Sequence, residues 1–463
     1  MTRRTWLVPV CALLLVACGG DEAATTPDPG AGDTPATLDA QDVAEAGPTD
    51  VATPGDADAA SPDPSPADLA PADPGAAEAT DATEAFVPHH GAKSLPLYDE
   101  STVVDINLTF TDAEWQKFQD IIAYWEAHVD DYSGTTEVDY VHCGVEFNGE
   151  TFADAGCHPK GNPRYWKDCQ KPQIGVKINA WDKNARFLGL RKLGFKSLPY
   201  YAAPVRSRLA MTVMRDAGLD APRVNHARVS RNGVYFGLYE NIEAIDHEFL
   251  EDHFADPSGN LYQNGYILKT NETANDLTRI WKLNDMIAAE PLDGDHAAFF
   301  AWLPTWLDLP EVLRELAAEV VLPTPDNFSN GSSNFYWYDC PARGFVVLPW
   351  DIDECIGHLA PPDADIYQYW GEPDAGNPPM KLRQLIHQNA AWKKEFEDDL
   401  VDVRDNVYAK LPARVDEICA QIRPAFVADP SPPGTPEAFD ADCADLKQRI
   451  ADRIAYIQQT LGR

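Results

Sequence analysis

The chain has few positive charges: 37 lysines and arginines stand against 74 aspartates and glutamates in 463 residues, a formal net charge of −37. A nucleic-acid-binding surface needs clustered Lys and Arg to contact phosphates, and anionic membrane headgroups repel an acidic protein. The composition therefore argues against nucleic acid as a partner. Apolar residues still make up 44% of the chain, which is enough for a large core.

Between residues 19 and 85 the chain contains no lysine, no arginine and no aromatic residue. The same stretch carries 12 Asp, 4 Glu and 10 Pro among alanines, threonines and glycines. Such a segment cannot bury enough apolar surface to offset its conformational entropy, and its like charges keep it extended. We predict a disordered Asp/Ala/Pro-rich linker over residues 19–86 and one folded domain over residues 87–463.

The chain also lacks any run of about 18 uninterrupted apolar residues, so we predict no transmembrane helix. Its N-terminus instead has two arginines before a run of 12 mostly apolar residues, Trp6 to Ala17. A basic region followed by a short apolar region is typical of a secretory signal peptide. We therefore expect the protein to be exported.

The signal ends in Leu15-Val16-Ala17-Cys18, which resembles the lipobox of bacterial lipoproteins. In a lipobox the cysteine is acylated and becomes the new N-terminus, and here a flexible tether follows at once. We expect residues 1–18 to be a lipoprotein signal peptide. The lipid on Cys18 would be the only membrane contact, and it would hold the protein on the bacterial cell envelope, at the outer membrane or the cell surface. A plain cleavable signal with a chance cysteine is the alternative.

Beyond residue 98, apolar residues recur with the periods of strands and helices. The capping box Thr111-Asp112-Ala113-Glu114 predicts the start of a helix, and Arg231-Asn232-Gly233 predicts a hairpin turn. Further strands are predicted at 104–110, 141–148, 173–179, 190–197, 334–338 and 345–348, and further helices at 205–217, 243–254, 297–320, 381–423 and 440–461. The order predicts an α+β fold, with a mixed or antiparallel N-terminal sheet followed by a mainly helical C-terminal part.

The second predicted hairpin carries polar residues at its open end. Its second strand runs into Asp351 and Asp353, which can present two carboxylates to one cation because residues two apart in an extended chain face the same side. Asp326 lies upstream in a polar loop, and Asn334 opens the first strand. Protein kinases use this order: one Asp orients the acceptor hydroxyl, while an Asn and a post-hairpin Asp hold Mg²⁺. Alternatively, Asp326 is a solvated turn residue and the other two aspartates form a structural calcium site.

The amino-acid sequence of this region also resembles that of a known protein family. SNFYWYDCPARGFVVLPWDIDECIG, residues 333–357, is similar to the NNYYLY…GKFxFIPWDLDxxFG segment of the spore-coat protein H (CotH) kinase family. GVYFGLYENIEAID at 233–246 resembles that family's NGxYxGLYxLVExxD, and FLGLRKL at 187–193 resembles its FLGLKKL strand. With weaker matches between them, the similarity covers residues 140–360 in the family's order.

This resemblance implies an atypical protein-kinase-like fold and an enzyme that transfers the γ-phosphate of ATP to Ser or Thr of a secreted or surface protein. It implies that Asp326 is catalytic and that Asn334, Asp351 and Asp353 bind Mg²⁺, Mn²⁺ or Ca²⁺. Ser207 stands where the family has an acid, so a catalytically weak pseudokinase that serves as a surface binding or adhesion module is the alternative. A hydrolase whose aspartate-bound metal activates water is a further alternative.

Four residues are candidates for the nucleotide side of the site. Lys177 and Lys192 lie on predicted strands and face away from their apolar neighbours, so either could reach a phosphate. Arg206 opens the following helix, where it could pair with phosphate, and Glu243 lies at the strand-to-helix exit where kinases hold adenine. The alternative for Lys177 and Lys192 is that both are surface-strand lysines. The alternative for Arg206 is that it is a solvated arginine in the first turn of its helix.

Seven cysteines lie beyond the predicted signal peptide, and an oxidising compartment favours disulfides between them. The pairs that lie near each other in sequence are Cys157–Cys169, Cys340–Cys355 and Cys419–Cys443, which would leave Cys143 over. A zinc cluster of Cys143, Cys157, His158 and Cys169 is the alternative, although its spacing fits no standard zinc pattern.

Overall fold

The protein is described from a computed structural model over residues 91–463, except 92, 133–137, 164–170, 332 and 368–377. The predicted signal peptide with Cys18 and the predicted linker lie outside the described residues, as does Cys169. Within the described ranges, no helix combines the length and the apolar composition needed to cross a bilayer.

Seven strands of the N-terminal part close into a barrel. They are β1 Val103–Thr109, β2 Val141–Phe147, β3 Glu150–Pro159, β4 Ile174–Lys177, β5 Lys192–Lys196, β6 Val224–Arg231 and β7 Val234–Ile242. Around the barrel they follow the order β1-β2-β3-β4-β5-β7-β6. Neighbouring strands are antiparallel except β1 and β6, whose parallel pairing, which begins at Val103↔His226, closes the barrel.

The predicted alternation explains how these strands pack. In β1, Val104, Ile106 and Leu108 are buried in the barrel core, while the residues between them are more exposed. Helix α1 (Asp112–Ala127) follows, and the hydroxyl of Thr111 accepts the main-chain N–H of Glu114 at 3.1 Å. The predicted helix start, with Thr111 as its N-cap, is therefore confirmed, whereas the carboxylate of Glu114 accepts the N–H of His142 at 2.9 Å.

The turn between β6 and β7 is also confirmed. Asn232 and Gly233 have φ angles of 52° and 79°, the left-handed values that a two-residue hairpin turn requires. The side chain of Asn232 accepts the N–H of Phe110 at 2.8 Å and donates to its carbonyl at 2.9 Å. The turn is thereby tied to the segment that follows β1.

The C-terminal part combines a small sheet with helices. The sheet has the order β11-β10-β8-β9, with β8 Leu261–Gln263, β9 Ile267–Leu268, β10 Phe335–Cys340 and β11 Gly344–Pro349. The helices are α2 Arg206–Asp216, α3 His247–His253, α4 Thr278–Ala289, α5 Ala297–Trp302, α6 Leu309–Val321, α7 Phe328–Gly331, α8 Pro378–Gln388, α9 Ala390–Asn406, α10 Leu411–Val427 and α11 Pro436–Leu461. The α+β class predicted from the sequence is confirmed.

Two of the predicted helices are interrupted. The segment 297–320 divides into α5 and α6, because Pro310 stands at the start of α6 and the side chain of Asp308 caps that start. The segment 381–423 spans α8, α9 and α10, and the side chain of Asn389 caps the start of α9. Prolines and helix caps therefore interrupt each predicted helix, although the helical spacing of its apolar residues continues across the interruption.

Two disulfides lie in the described part of the chain. Cys419–Cys443 joins α10 to α11, which confirms that predicted pair. Cys143–Cys157 joins β2 to β3. The predicted pair Cys157–Cys169 is therefore wrong, because the antiparallel pairing of β2 with β3 brings Cys143 to Cys157 instead. The same bond rules out the zinc cluster.

The predicted pair Cys340–Cys355 is also wrong, since both residues are buried free thiols. Cys340 ends β10 at the turn of the hairpin, whereas Cys355 follows the opposite end of β11. A six-residue strand separates the two ends by roughly 20 Å. Nearness in sequence therefore does not bring these two sulfurs together.

Candidate active site

Lys196, the last residue of β5, meets two carboxylates that follow the β10–β11 hairpin. Its Nζ donates to Asp351 Oδ1 and lies 3.1 Å from Asp353 Oδ2. The lysine side chain is 8% exposed, against 35% for Asp351 and 13% for Asp353. Asp351 is therefore the member of this cluster that an incoming ligand can reach.

The strand period explains why Lys196 faces this cluster. Leu193 and Phe195 pack in the barrel core, so Lys192 and Lys196 lie on the other face of β5. Sequence reasoning selected Lys192 from this face and missed Lys196. The period could have found Lys196 but could not choose between the two, because the choice depends on a contact with Asp351 across 155 residues of chain.

The base of the hairpin brings Asn334 and Asp351 together. The N–H of Trp350 donates to the carbonyl of Asn334 at 3.1 Å. Asn334 and Asp351 have φ angles of 56° and 55°, in the left-handed region that Asn and Asp enter more readily than other non-glycine residues. The residue types at both ends of the hairpin therefore suit its backbone.

Asp326 lies against the same hairpin base. The Nδ2 of Asn334 donates to Asp326 Oδ2 at 2.9 Å and lies 3.5 Å from the main-chain oxygen of Asp351. The hydroxyl of Ser333 donates to Asp326 Oδ1. The structure thus gathers four of the sequence-predicted site residues, Asp326, Asn334, Asp351 and Asp353, around one hairpin base.

The loop that carries Asp326 is fixed by two buried charges. Glu319 of α6 accepts the N–H groups of Phe328 and Ser329 at 3.1 and 3.2 Å. Arg383 of α8 donates to the hydroxyl of Ser329 at 3.2 Å. Burial raises the pKa of Glu319 to about 7, although the contacts with Ser329 and Arg383 oppose the rise. Hydrogen bonds to the buried side chains of Glu319 and Arg383 therefore hold in place the loop that carries Asp326.

Negative charge exceeds positive charge at the site. Burial favours a neutral Lys196, but Asp351 and Asp353 outweigh this effect and raise the lysine pKa. Burial is likewise outweighed at Asp351, whose pKa the ammonium groups of Lys196 and Lys160 lower. Burial and the charge of Asp353 raise the pKa of Glu354 to about 7. Because the carboxylates outnumber the ammonium groups, the site attracts another cation.

The residues fit a metal ion that arrives with a phosphorylated ligand. No group of three or more His, Cys, Asp or Glu side chains in the described ranges is arranged to hold a metal. Mg²⁺ is commonly bound by one or two carboxylates plus substrate phosphates, whereas a structural Ca²⁺ site takes about six to eight oxygen ligands. The exposed Asp351 beside Asn334 suits the first arrangement and is too sparse for the second.

A second ammonium group lies at the edge of the cluster. The Nζ of Lys160, just beyond β3, is 5.3 Å from the centre of the Trp350 ring. Burial lowers the pKa of Lys160, although Asp351 and Asp353 oppose the shift. Lys160 therefore flanks Asp351 on the side of the barrel.

Lys177 and Lys192 have other surroundings. They are cross-strand partners between β4 and β5, four residues along the strand from Lys196. The Nζ of Lys177 is 5.2 Å from the centre of the Tyr140 ring, and Lys192 is exposed. Lys177 and Lys192 therefore match the alternative of surface-strand lysines and are not part of the Asp351 cluster.

Arg206 and Glu243 belong to buried ion pairs. The guanidinium of Arg206 donates to both carboxylate oxygens of Asp442 on α11, at 3.0 and 3.2 Å. Glu243 is 2% exposed and accepts from the guanidinium of Arg223. Arg206 is therefore not the solvated first-turn arginine of the structural alternative. Both side chains join distant segments of the chain, and their charges are taken up by protein partners.

Comparisons with known proteins agree with the motif resemblance. A family model described as CotH kinase protein matches residues 168–457. The chain is 22% identical over 307 residues to the inner spore coat protein H of Bacillus subtilis (strain 168), a match that covers 60% of this chain and 80% of that protein.

Several solved structures share a loose similarity with the chain. The Shewanella oneidensis MR-1 HipA–HipB–operator DNA complex has a chain that matches at 10% identity, with 76% of this chain and 86% of that chain covered and a TM-score of 0.34. The Helicobacter pylori proinflammatory kinase CtkA matches at 11% identity, with 65% and 95% covered and a TM-score of 0.28. A Golgi casein kinase with Mn/ADP bound matches at 9% identity, with 76% and 82% covered and a TM-score of 0.25.

Proposed function

This chain belongs to the CotH kinase protein family, and from that membership we propose that it is an exported protein kinase that transfers the γ-phosphate of ATP to Ser or Thr of secreted or surface proteins. The observation that carries the proposal is the contact of Lys196 with Asp351 and Asp353 beside Asp326. A strand lysine, a post-hairpin Asp and an upstream Asp are the parts that a protein kinase places around ATP.

Each side chain has a role that its surroundings set. Lys196 stays charged, because its pKa is raised, and binds phosphate oxygens of ATP. Asp351, Asn334 and Asp353 would hold a divalent cation, which would neutralise charge on the phosphates. Asp326 orients the acceptor hydroxyl and accepts its proton as the hydroxyl oxygen bonds to the γ-phosphorus and the bond to ADP breaks.

The central test is transfer of labelled phosphate. The purified protein is incubated with γ-labelled ATP and Mg²⁺, Mn²⁺ or Ca²⁺, and with casein or co-secreted proteins as acceptors. Asp326→Asn keeps the shape of the side chain and the metal ligands, so transfer should fall by orders of magnitude while ATP affinity changes little. Asp351→Ala should lose both phosphate transfer and ATP binding. Asp285→Ala, at an exposed position of α4, is the control.

Dependence on metal is a second test of the same site. Without a divalent cation, the phosphates of ATP would meet Asp326, Asp351 and Asp353 directly and be repelled. Calorimetry should therefore detect ATP binding only when Mg²⁺, Mn²⁺ or Ca²⁺ is present. Equal binding in excess EDTA would contradict the assignment of Asp351 as a metal ligand.

A pseudokinase that serves as a surface binding or adhesion module is the second candidate function. It is favoured by Ser207, which stands where the family has an acid. In that case the protein would bind ATP and metal but transfer no phosphate to itself or to any acceptor with any of the three metals. Absence of nucleotide binding would favour a module without nucleotide chemistry.

We propose that the protein acts outside the inner membrane, anchored by a lipid on Cys18. The proposal rests on the basic and apolar start of the chain and on the acidic linker after it. Cys18→Ala should release the protein from the membrane fraction. If the variant still sediments with membranes after a high-salt wash, the lipid anchor is excluded.

A further inference from the structure

A cavity of about 740 Å³ lies between two helices and the segment that precedes β1. Its walls include Glu100 from that segment, Arg208 and Thr212 from α2, and Arg414 and Gln421 from α10. Sites for small molecules commonly have volumes of about 300–1,000 Å³, so a small ligand fits this space. The cavity shares no lining residue with the candidate active site.

Arg208 is the buried charge of this cavity, with 4% of its surface exposed. Its Nη1 donates to Gln421 Oε1 at 2.7 Å and to His226 Nδ1 at 3.2 Å, and its Nη2 donates to the main-chain oxygen of Glu100 at 2.5 Å. Its Nε is buried without a hydrogen-bond partner in the described part of the chain. A guanidinium group has five N–H groups, so one on Nε and one on Nη2 have no acceptor.

The positive charge of Arg208 is not neutralised by an ion pair, because none of its three acceptors is a carboxylate. The two acids that line the cavity are bound to other arginines: Arg215 pairs with Glu100, and Arg414 pairs with Glu417. Burial lowers the pKa of Arg208, although nearby acids oppose the shift. A buried charge without a partner is unfavourable, so an anion in the cavity would stabilise this guanidinium.

The two free N–H groups of Arg208 belong to the pair of atoms with which other arginines of this protein bind carboxylates. Four arginines donate from both Nε and Nη2 to the two oxygens of one acid: Arg223 to Glu243, Arg279 to Asp339, Arg404 to Asp405 and Arg423 to Asp440. The parallel N–H groups match the spacing of the two oxygens in a planar carboxylate. The donors that Arg208 leaves free therefore favour a carboxylate among anions.

We infer that this cavity is a binding site for a carboxylate ligand, whose carboxylate group pairs with Nε and Nη2 of Arg208. Gln421 adds a donor, because its Nε2 gives one N–H to the main-chain oxygen of Glu100 at 3.0 Å and has a second one. The side chain of Arg414 is 55% exposed, so it can receive the second carboxylate of a dicarboxylic acid. This site goes beyond the proposed kinase function and does not depend on it.

The test is calorimetry of the whole protein in a buffer without carboxylates or phosphate. The probes are succinate, which represents a free organic acid, and N-acetylglutamate amide, which represents an acidic side chain of a protein. We expect the wild type to bind at least one of them with a Kd of about 1 mM or lower. The tighter binder identifies the source of the carboxylate, and binding of neither probe overturns the inference.

Two variants locate the binding. Arg208→Lys keeps the charge but removes the paired N–H groups, and Ala420→Trp fills the cavity from an exposed position in its wall. Each should weaken the affinity roughly ten- to a hundredfold, the effect of one charged hydrogen bond. The matched control is Arg423→Lys, on α10 but outside the cavity lining, which should bind as the wild type does. Wild-type affinity in Ala420→Trp would place the ligand elsewhere and overturn the inference.

The remaining outcomes are also distinct. If circular dichroism shows that Arg208→Lys does not fold, Ala420→Trp decides alone: loss of binding supports the inference, and retained binding overturns it. Equal affinity for inorganic phosphate, which is tetrahedral, would show a general anion site and overturn the assignment to carboxylates. A wild type that binds ATP with Mg²⁺ but neither probe removes this inference and leaves the kinase proposal intact. A wild type that binds succinate but no ATP does the reverse.

Discussion

Asn334 and Asp351 flank one β-hairpin, and both have left-handed backbone conformations, with φ angles of 56° and 55°. A non-glycine residue in this region costs about 1–2 kcal/mol and persists only where the surroundings hold it. Here a main-chain hydrogen bond from Trp350 to Asn334 joins the two ends. The strain is thus stored at the two ends of the hairpin, and one of them, Asn334, donates to Asp326.

Substitution of Asp351 by Gly and by Ala should separate chemistry from strain. Both variants lack the carboxylate, so both should lose metal-dependent ATP binding. Glycine adopts the left-handed conformation without a steric cost, so Asp351→Gly should be the more stable variant by about 1 kcal/mol in urea unfolding. Equal free energies of unfolding would mean that residue 351 relaxes when its side chain is removed.

Glu319→Gln should slow phosphoryl transfer more than it weakens ATP binding. Glutamine keeps one acceptor oxygen, so one of the two N–H groups at Phe328 and Ser329 loses its partner, at a cost of about 1–3 kcal/mol. The loop that carries Asp326 should loosen, while Lys196 and Asp351 keep their contacts. Steady-state kinetics should show a lower kcat with little change in KM for ATP.

Glu315→Gln, one turn earlier on α6, is the control for the Glu319 variant. Both glutamates are buried, but only the Glu319 carboxylate accepts from the loop. A similar fall of kcat in the Glu315 variant would trace the effect to the helix as a whole and not to the loop contacts.

Acidification should destabilise the protein through His226. Its Nε2 donates to the carbonyl of Pro204 at 2.7 Å, and its Nδ1 accepts from Arg208 at 3.2 Å, which requires a neutral ring. Burial and the charge of Arg208 lower the pKa of His226 to about 3, below the ordinary value of 6.5. The unfolded chain therefore binds the proton first, so this contribution to stability is complete above pH 6.5 and is lost as the pH falls toward 3.

The contribution of His226 is measured by unfolding the wild type and His226→Gln in urea at several pH values. Between about pH 6 and pH 4, the wild type should lose up to about 1.4 kcal/mol per pH unit more than the variant. Parallel pH profiles for the two proteins would show that the ring is protonated in the folded state.

The Cys419–Cys443 disulfide should stabilise the two C-terminal helices that it joins. It closes a loop of sequence separation 24, for which restriction of the unfolded chain contributes about 3 kcal/mol. The double variant Cys419→Ala/Cys443→Ala should lose about this much in urea unfolding. Cys340→Ala, which removes a free buried thiol, is the control and should cost less. An unchanged free energy in the double variant would contradict the contribution of the bond.

Features that depend on a few neighbouring residues were predictable from the sequence. The cap at Thr111 and the turn at Asn232-Gly233 each follow from the geometry of three or four consecutive residues. The grouping of Asp326, Asn334 and Asp351 was predictable because the order of polar residues around a hairpin is visible along the chain. The hairpin itself then brings them together.

Features that depend on distant contacts were not predictable in the same way. Lys192 and Lys196 share one face of β5, and only the position of the later hairpin distinguishes them. The partner of Cys157 depends on the pairing of β2 with β3, and the ion pair of Arg206 depends on Asp442 in α11. Periodicity shows which face of a strand or helix is buried, but it does not show what lies opposite.

Strand β1 hydrogen-bonds β2 on one side and β6 on the other, and the first β6 partner of Val103 is His226, 226 − 103 = 123 residues later. During synthesis of the chain, β1 therefore has one unpaired edge until β6 has been made and can pair with it. Such an edge, next to the apolar face of Val104 and Ile106, is a template for pairing with another molecule. Long-range closure is also slow, because its loop entropy is lost before the contacts form. Chains truncated before β6 should consequently aggregate through β1, and the shortest fragment that stays monomeric should extend through β7 to residue 242, because β7 pairs with both β5 and β6.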